Sequence, residues 1–292
     1  MYDTIIIGAG PAGLTAAIYL RRANKKVLLI EKEGIGGQIA SSPLVENYPG
    51  FKAISGTELA NNLYEQVEAL DCEIAIEEVL EITKNKDVIT DSNKYQAKSI
   101  IIATGCEYRK LNLENEEELI GSGIHFCVSC DGAFYKNKIV GVIGGGNSAL
   151  INAISLADLC RKVIIIQDLD HLTGEEKYIN EVKEKKNVEI ILSSKVSKYL
   201  EENGLFKGIQ INGEKDIELD GVFLSIGRIP TSKIFKDLVS IDNYGYIKSD
   251  DMNTNIDGIF VAGDVRTKNV RQLTTATNDG TIAAINAISY LK

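Results

Sequence analysis

Short runs of β-branched and aliphatic residues punctuate the chain, and several of them end at a glycine. Asp3–Ile7, Lys26–Ile30, Ser99–Ile102, Ile139–Ile143, Lys162–Ile166 and Gly221–Gly227 are apolar almost throughout. Such runs, without polar alternation, predict strands buried on both faces, as in parallel sheets. Stretches with helical character lie between them, over Leu14–Ala23, over Ser55–Leu70, and from the glycines at 144–146 to about Leu159. A last one runs from Asn278 towards Tyr290. The Ser55–Leu70 stretch has Ser55 or Thr57 as a cap and Glu58 in its first turn. Residues 73–102 carry short strand-like runs with a turn around Asn85–Asp87. Further strands are predicted near 188–193 and 205–212, with a hairpin at Asn212-Gly213. The alternation of strand and helix predicts an α/β fold.

Two of these strand–helix junctions share one pattern. The first reads Gly8-Ala9-Gly10-Pro11-Ala12-Gly13 and is followed by a helix, a strand and Glu31, about 18 residues beyond Gly13. This is the dinucleotide fingerprint in its full context. The glycines let backbone approach a pyrophosphate, the helix N-terminus faces its charge, and Glu31 can accept from a ribose hydroxyl. The second reads Gly144-Gly145-Gly146-Asn147-Ser148-Ala149, with alanine in place of the third glycine. The chain therefore contains an internal repeat of a Rossmann-like unit. Further glycines stand at Gly34, Gly36 and Gly37, before Gln38, and Asn47-Tyr48-Pro49-Gly50 reads as an ordered loop near the same cofactor. Near the C-terminus, Gly258–Asp264 repeats a strand followed by Gly263-Asp264.

The most specific chemistry lies in Phe126-Cys127-Val128-Ser129-Cys130-Asp131-Gly132. Two cysteines two residues apart at the first turn of a helix suit a redox-active dithiol, because a helix N-terminus stabilises a thiolate. Asp131 can supply or take the proton that exchange requires. Half of a zinc site is the other reading, but it needs a second close pair. Cys72, Cys106, Cys160, His125 and His171 are scattered, so no metal site is expected. The three remaining cysteines read as core residues, and His125 as a packed one.

Composition narrows the classes. The 292 residues suit two domains, and 44% hydrophobic residues suffice for real cores. A formal charge of −9 argues against nucleic acid as a partner. No apolar run approaches the roughly 18 residues that span a bilayer. The N-terminus enters a strand with no leader pattern, and five cysteines fit a reducing compartment. The expectation is a cytoplasmic protein with no membrane association.

Taken together, these motifs resemble the low-molecular-weight thioredoxin reductase family of flavoproteins over essentially the whole chain. Carrying the resemblance are Gly8–Gly13, Gly36-Gly37-Gln38, Glu46–Gly50, Ala103-Thr104-Gly105, Cys127–Gly132, Gly263-Asp264 and Arg271-Gln272. It implies two Rossmann-like, three-layer ββα domains, the second inserted into the first. The FAD domain would comprise residues 1–113 and 242–292, and the insert 114–241, with the acidic run Glu114–Glu118 as a solvated linker. Implied FAD contacts are Gly8, Gly10, Pro11, Ala12, Gly13, Glu31, Gly37, Gln38, Asn47, Ala103, Thr104, Gly105, Gly263, Asp264, Arg271, Gln272 and Leu273. Implied catalytic roles give Cys130 to the flavin, Cys127 to the disulfide of thioredoxin, and Asp131 to acid–base work. A homodimer is implied on the same basis.

Departures from the family bear on the electron donor. Members that use NADPH carry a pair of glutamates after the second glycine loop, where this chain has Ile151 and Asn152. Their next strand ends in His-Arg-Arg with a further arginine, whereas here Gln167-Asp168-Leu169-Asp170 and Thr173 stand. A phosphomonoester needs cationic partners. At about 1.5–3 kcal/mol per charged hydrogen bond lost, NADPH affinity should fall by several orders of magnitude. The pattern resembles the ferredoxin-dependent flavin thioredoxin reductases, in which reduced ferredoxin supplies electrons to FAD one at a time. An NAD(P)H-dependent reductase, with Asp168 on a ribose 2′-hydroxyl, and an FAD dithiol oxidase are the other readings. Docking an acidic ferredoxin needs a basic patch. Arg21, Arg22, Lys25 and Lys26 form one candidate, and Arg266, Lys268 and Arg271 another.

Overall fold

A computed structural model describes every residue of the chain except Pro43. The chain forms two compact units, residues 1–107 with 229–292, and residues 108–228. The cuts expected at 113/114 and 241/242 therefore lie earlier in the chain. The acidic run explains the first difference. Glu116 is 3% exposed, not solvated. Its carboxylate accepts from the backbone N–H groups of Leu111, Asn112 and Leu113 and from the Tyr199 hydroxyl at 2.8 Å, which ties residues 111–119 into the second unit.

The first unit begins with β1 (Tyr2–Ile7), α1 (Pro11–Arg22) and β2 (Val27–Glu31), followed by α2 (Gly56–Glu68). Ser55 caps α2, its hydroxyl accepting from the Glu58 N–H at 3.2 Å. Then come β3 (Glu73–Ile76), β4 (Val79–Ile82), β5 (Asp87–Thr90), β6 (Lys94–Ile102) and β7 (Cys106–Tyr108). The sheet runs β3-β2-β1-β6, all parallel, while the first half of β6 pairs antiparallel with β5. Successive strand residues face opposite sides, and the sequence exploits this fully. Ile6, Leu29 and Ile101 pack with α1 on one side. Ile5, Ile7, Leu28, Ile30, Ile100 and Ile102 pack against Val79, Ile82 and Val88 of the antiparallel strands on the other. Each such side chain contributes about 1.5–3 kcal/mol by leaving water.

The second unit contains α3 (Glu116–Leu119), β8 (Ile124–His125), α4 (Val128–Asp131), β9 (Ile139–Ile143), α5 (Asn147–Ala157), β10 (Lys162–Ile166) and α6 (Glu176–Glu184). It closes with β11 (Val188–Ile191), β12 (Val196–Glu202), β13 (Leu205–Ile211), β14 (Lys215–Glu218) and β15 (Gly221–Leu224). Its parallel sheet runs β11-β10-β9-β15-β8, and β12-β13-β14 form an antiparallel meander. Asn212 and Gly213 both take positive φ, as the expected hairpin requires. The same layering recurs. Val140, Val142, Val163 and Ile165 face α5, while Ile143, Ile164 and Ile166 face the meander.

The chain returns to the first unit through β16 (Arg228–Pro230), which pairs with β7. It then adds β17 (Ile259–Val261) beside β6 and ends in α7 (Leu273–Tyr290), packed on α1. Both units are thus three-layer ββα dinucleotide-binding folds, the second inserted into the first. Among the described residues no helix is long and apolar enough to cross a membrane.

Candidate active site

In the first unit, β1 delivers the chain into a tight glycine turn. Gly8 sits at φ +103°, and a Cβ there would meet the Ala103 carbonyl oxygen at 2.5 Å. A Cβ on Gly13 would lie 1.9 Å from the Gly8 carbonyl oxygen, so only glycine lets α1 start this close to β1. Pro11 occupies the first turn of α1, where its missing N–H costs nothing. No side chain caps that helix and no acid stands in its first turn. Its leading N–H groups are therefore available to an anion, and the space beside Gly10 is open.

Some of the residues implied as FAD contacts lie at this turn, and others lie elsewhere in the unit. Glu31 ends β2, and its carboxylate accepts from the Ala9 N–H at 2.8 Å and the Glu33 N–H at 3.1 Å. Its oxygens retain lone pairs for a further donor. Gly36 folds back, its N–H donating to the Ala9 carbonyl at 2.9 Å, and Gly37 packs over Gly10. The Gln38 amide donates to the Cys106 carbonyl. Thr104 donates to the Thr231 carbonyl at 2.6 Å, and Gly105 turns at φ +68°. Gly263 stands against Ala12, and its N–H donates to Asp279 at 3.1 Å. Gln272 forms a reciprocal cap with Thr275 at the start of α7, where Leu273 packs against Val45, Ile54 and Leu59. Asn47 lies on an exposed bend.

The second candidate docking patch is not free. The Asp279 carboxylate, 1% exposed, accepts from Arg266 and Lys268, both at 2.9 Å. Lys268 also lies 3.5 Å from Asp264. Arg271 lies 4.1 Å over the Tyr246 ring and donates to the carbonyls of Asp264, Arg266 and Lys268. These cations brace the turn after β17. In the first patch Arg21 is also engaged, donating to the Leu70 and Lys25 carbonyls, while Arg22 and Lys26 are exposed.

In the second unit Cys127 and Cys130 form a disulfide, with Cα atoms 5.3 Å apart. Cys127 is the N-cap of α4, and its carbonyl accepts from the N–H groups of Cys130 and Asp131. The helix is a single turn, shorter than the spacing predicted, so any thiolate stabilisation comes from its local N–H groups. Gly132 lies where a Cβ would press on Val128 and Leu156, which seats the turn against α5. Beside it the Tyr108 and Phe126 rings stack at 4.6 Å, and the Arg228 guanidinium lies 4.7 Å from the Tyr108 ring centre. Asp131 is buried, with Oδ2 3.2 Å from His125 Nδ1. His125 Nε2 is 2.7 Å from the Tyr135 hydroxyl. Reading the sequence missed this string. Its signal was the spacing of 125, 131 and 135, which brings three polar groups from a strand and a short turn onto one side.

The second glycine loop is differently surrounded. Gly146 caps α5 without a side-chain bond, as Gly10 does for α1. Gln167 is buried over Gly145, while Asp168, Leu169, Asp170 and Thr173 are exposed. His171 pairs with Asp170 at 2.6 Å, and Lys177 with Glu175 at 3.1 Å. Asn152 donates to the Ser225 hydroxyl at 2.9 Å, and Ile151 is exposed. Cys106 and Cys160 are buried and Cys72 is half-buried; burial pushes the Cys72 and Cys160 thiols up to about 11. Among the described residues no group of His, Cys, Asp and Glu side chains could hold a metal ion.

A glycine cradle with an uncapped helix, repeated in an inserted unit that carries a dithiol turn, defines a two-domain flavoprotein disulfide oxidoreductase. Residues 2–280 match the pyridine nucleotide-disulphide oxidoreductase family. The chain belongs to that family, and within it to the low-molecular-weight thioredoxin reductases. It is 41% identical to the thioredoxin reductase of Bacillus subtilis, covering 100% of this chain and 95% of the relative. It is 43% identical to a 34.2 kDa protein in the rubredoxin operon of Clostridium pasteurianum, covering 99% and 97%. The solved thioredoxin reductase of Streptococcus pyogenes superposes with a TM-score of 0.94 at 39% identity, covering 100% of this chain and 98% of that one. The family binds FAD. The open space beside Gly10 and the free N–H groups at the start of α1 fit its pyrophosphate.

Proposed function

We propose that the chain is a thioredoxin-disulfide reductase, probed most directly through its Cys127–Cys130 disulfide. FAD, when bound, supplies the conversion of single electrons into the pair that a disulfide needs. Gly8, Gly10, Pro11, Ala12 and Gly13 would hold its pyrophosphate, and Glu31 a ribose hydroxyl. Gly37, Gln38, Asn47, Ala103, Thr104, Gly105, Gly263, Asp264, Arg271, Gln272 and Leu273 would line the rest of its length. Cys130 receives the electron pair, and Cys127 becomes the nucleophile. The Cys127 thiolate attacks the thioredoxin disulfide, forming a mixed disulfide. Cys130 resolves it, so that thioredoxin leaves with two thiols and the Cys127–Cys130 bond returns. Asp131 moves the proton that Cys130 gains and loses. A homodimer belongs to the same reading.

We further propose that the electrons come from reduced ferredoxin. The supporting observation is the charge around the second glycine loop. Asp168, Leu169 and Thr173 are exposed where a 2′-phosphate would need cations, and the nearby Lys177 is paired with Glu175. Of the two basic patches, the one around Arg22 and Lys26 retains exposed cations. A second reading has its own support. The strand–glycine–helix geometry at 144–149 persists with an uncapped helix. Asp168 at the end of β10 suits a ribose 2′-hydroxyl, so NADH is the nucleotide to try first. For the reductase claim itself, the double variant C127S/C130S should lose thioredoxin reduction with every donor while keeping its flavin. A double variant that still reduced thioredoxin would refute it.

A further inference from the structure

His125 and Tyr135 have no part in the chemistry above, yet with Asp131 they form a buried polar string beside the disulfide. His125 ends the two-residue strand β8, paired beside Phe223 of β15. Its ring is 4% exposed and lies between Tyr135 (5.2 Å between ring centres) and Phe223 (5.4 Å). Asp131 and Tyr135 are four residues apart on the turn that follows the dithiol, so both reach the same imidazole, one at each nitrogen.

The hydrogen-bond directions follow from chemistry. An ionised Asp131 only accepts, so His125 Nδ1 carries the hydrogen. The neutral ring then accepts at Nε2, and the Tyr135 hydroxyl donates. Tyr135 is suited to remain a donor. Burial first, then the charges of Asp131 and Asp220, push its hydroxyl up to about 12. The other ionisable groups facing the string are Lys138, whose Nζ lies 5.3 Å over the Tyr135 ring, and Asp220 ahead of β15. Asp131 Oδ1, by contrast, is buried with no hydrogen-bond partner. A buried carboxylate oxygen left bare is costly. Its bareness makes sense if that oxygen exchanges a proton with the neighbouring Cys130 sulfur.

We propose that His125 is a positioning residue for the proton transfer of disulfide exchange. Its Nδ1–H holds Asp131 Oδ2 and leaves the unpartnered Oδ1 as the oxygen that takes the proton. Tyr135 fixes the tautomer that makes this possible. In the resolving step, the Cys130 thiol gives its proton to Asp131 Oδ1, and its sulfur attacks Cys127 Sγ of the mixed disulfide. The Cys127–Cys130 bond forms and the bond to the thioredoxin sulfur breaks. The electron pair leaves on that sulfur, which then takes a proton. Asp131 returns its proton when the disulfide is next reduced. The inference rests on the disulfide-reductase reading and is indifferent to the electron donor.

The test isolates the exchange. Flavin-loaded protein is reduced with a small dithiol, freed of it without oxygen, and mixed with oxidised thioredoxin. A single turnover is followed by alkylation mass across a pH series. H125F should slow exchange by about tenfold. It should also change the shape of the pH profile, which a merely structural role of His125 would leave as it is. H125N, which keeps an N–H for Oδ2, should stay within about threefold of wild type, and Y135F should fall between the two. In a D131N background H125F should add nothing, since residues acting as one unit are not additive. Equal flavin content would show each variant folded. A wild-type rate and profile in H125F would overturn the proposal. So would an H125N as slow as H125F, or an H125F loss that multiplies that of D131N. A reduced wild type that leaves thioredoxin oxidised would instead overturn the reductase reading on which it rests.

Discussion

At the scale of single residues, Glu116 shows how far a local pattern can mislead. Five consecutive residues, Glu114-Asn115-Glu116-Glu117-Glu118, read as a solvated face because a charge run usually is one. The structure turns the central one inward to serve three backbone donors and a tyrosine. E116A leaves those donors unpaired, and urea unfolding should show a loss of about 2–4 kcal/mol. E117A and E118A, on exposed neighbours, should shift stability by under about 0.5 kcal/mol. Asp279 is a comparable centre. Burial opposes its charge, but hydrogen bonds from Arg266 and Lys268 outweigh that and hold its carboxyl below the ordinary carboxylate value. A depressed folded value means the stabilisation is complete above about pH 4 and is lost as the pH falls through the folded value. The stability gap between wild type and D279N should therefore be constant at neutral pH and close only in strong acid. A gap that changed between pH 6 and 8 would contradict this. Among the cysteines, the raised thiols of Cys72 and Cys160 should resist iodoacetamide at pH 8, while reduction should make Cys127 and Cys130 the first labelled. Peptide mass mapping reads the order.

At the scale of elements, legibility followed burial. β1, β2, the end of β6, β9 and β10 are apolar on both faces, so each was visible as an unbroken aliphatic run. Both glycine loops were visible because each follows such a run and opens a helix. The cap of α2 was legible too, and S55A should cost about 1 kcal/mol. Four of the shortest elements were not legible as they stand. β7, β8, β16 and α4 are too short to show a period, and their pairing partners are distant in the chain. That is why the dithiol turn looked like the start of a longer helix and why His125 looked merely packed. On the proposed function, the end of β10 is the element that decides the donor. If missing cations are what exclude NADPH, D168R/L169R should raise NADPH affinity by about two to four orders of magnitude, at about 1.5–3 kcal/mol for each charged hydrogen bond. Nucleotide titration of the flavin band checks this, and an unchanged response would place the cause elsewhere.

At the scale of the whole molecule, the chain carries two copies of one three-layer plan, the second within residues 108–228. The first copy keeps the full cradle, with Gly8, Gly13 and Glu31 in place. The second keeps its glycine turn but surrounds it with Gln167, Asp168 and Thr173, and it carries the disulfide. On the proposed function this asymmetry reroutes electrons, so that the first copy would receive them from ferredoxin and the second would pass them to thioredoxin. The direct measurement is the anaerobic absorbance of the bound flavin, challenged separately with reduced ferredoxin, NADPH and NADH, with oxidised thioredoxin present. The account predicts bleaching by ferredoxin alone, followed by thiols on thioredoxin. Fast bleaching by NADPH or NADH would contradict it, and would mean that the loop at 144–149 still delivers hydride despite Asp168.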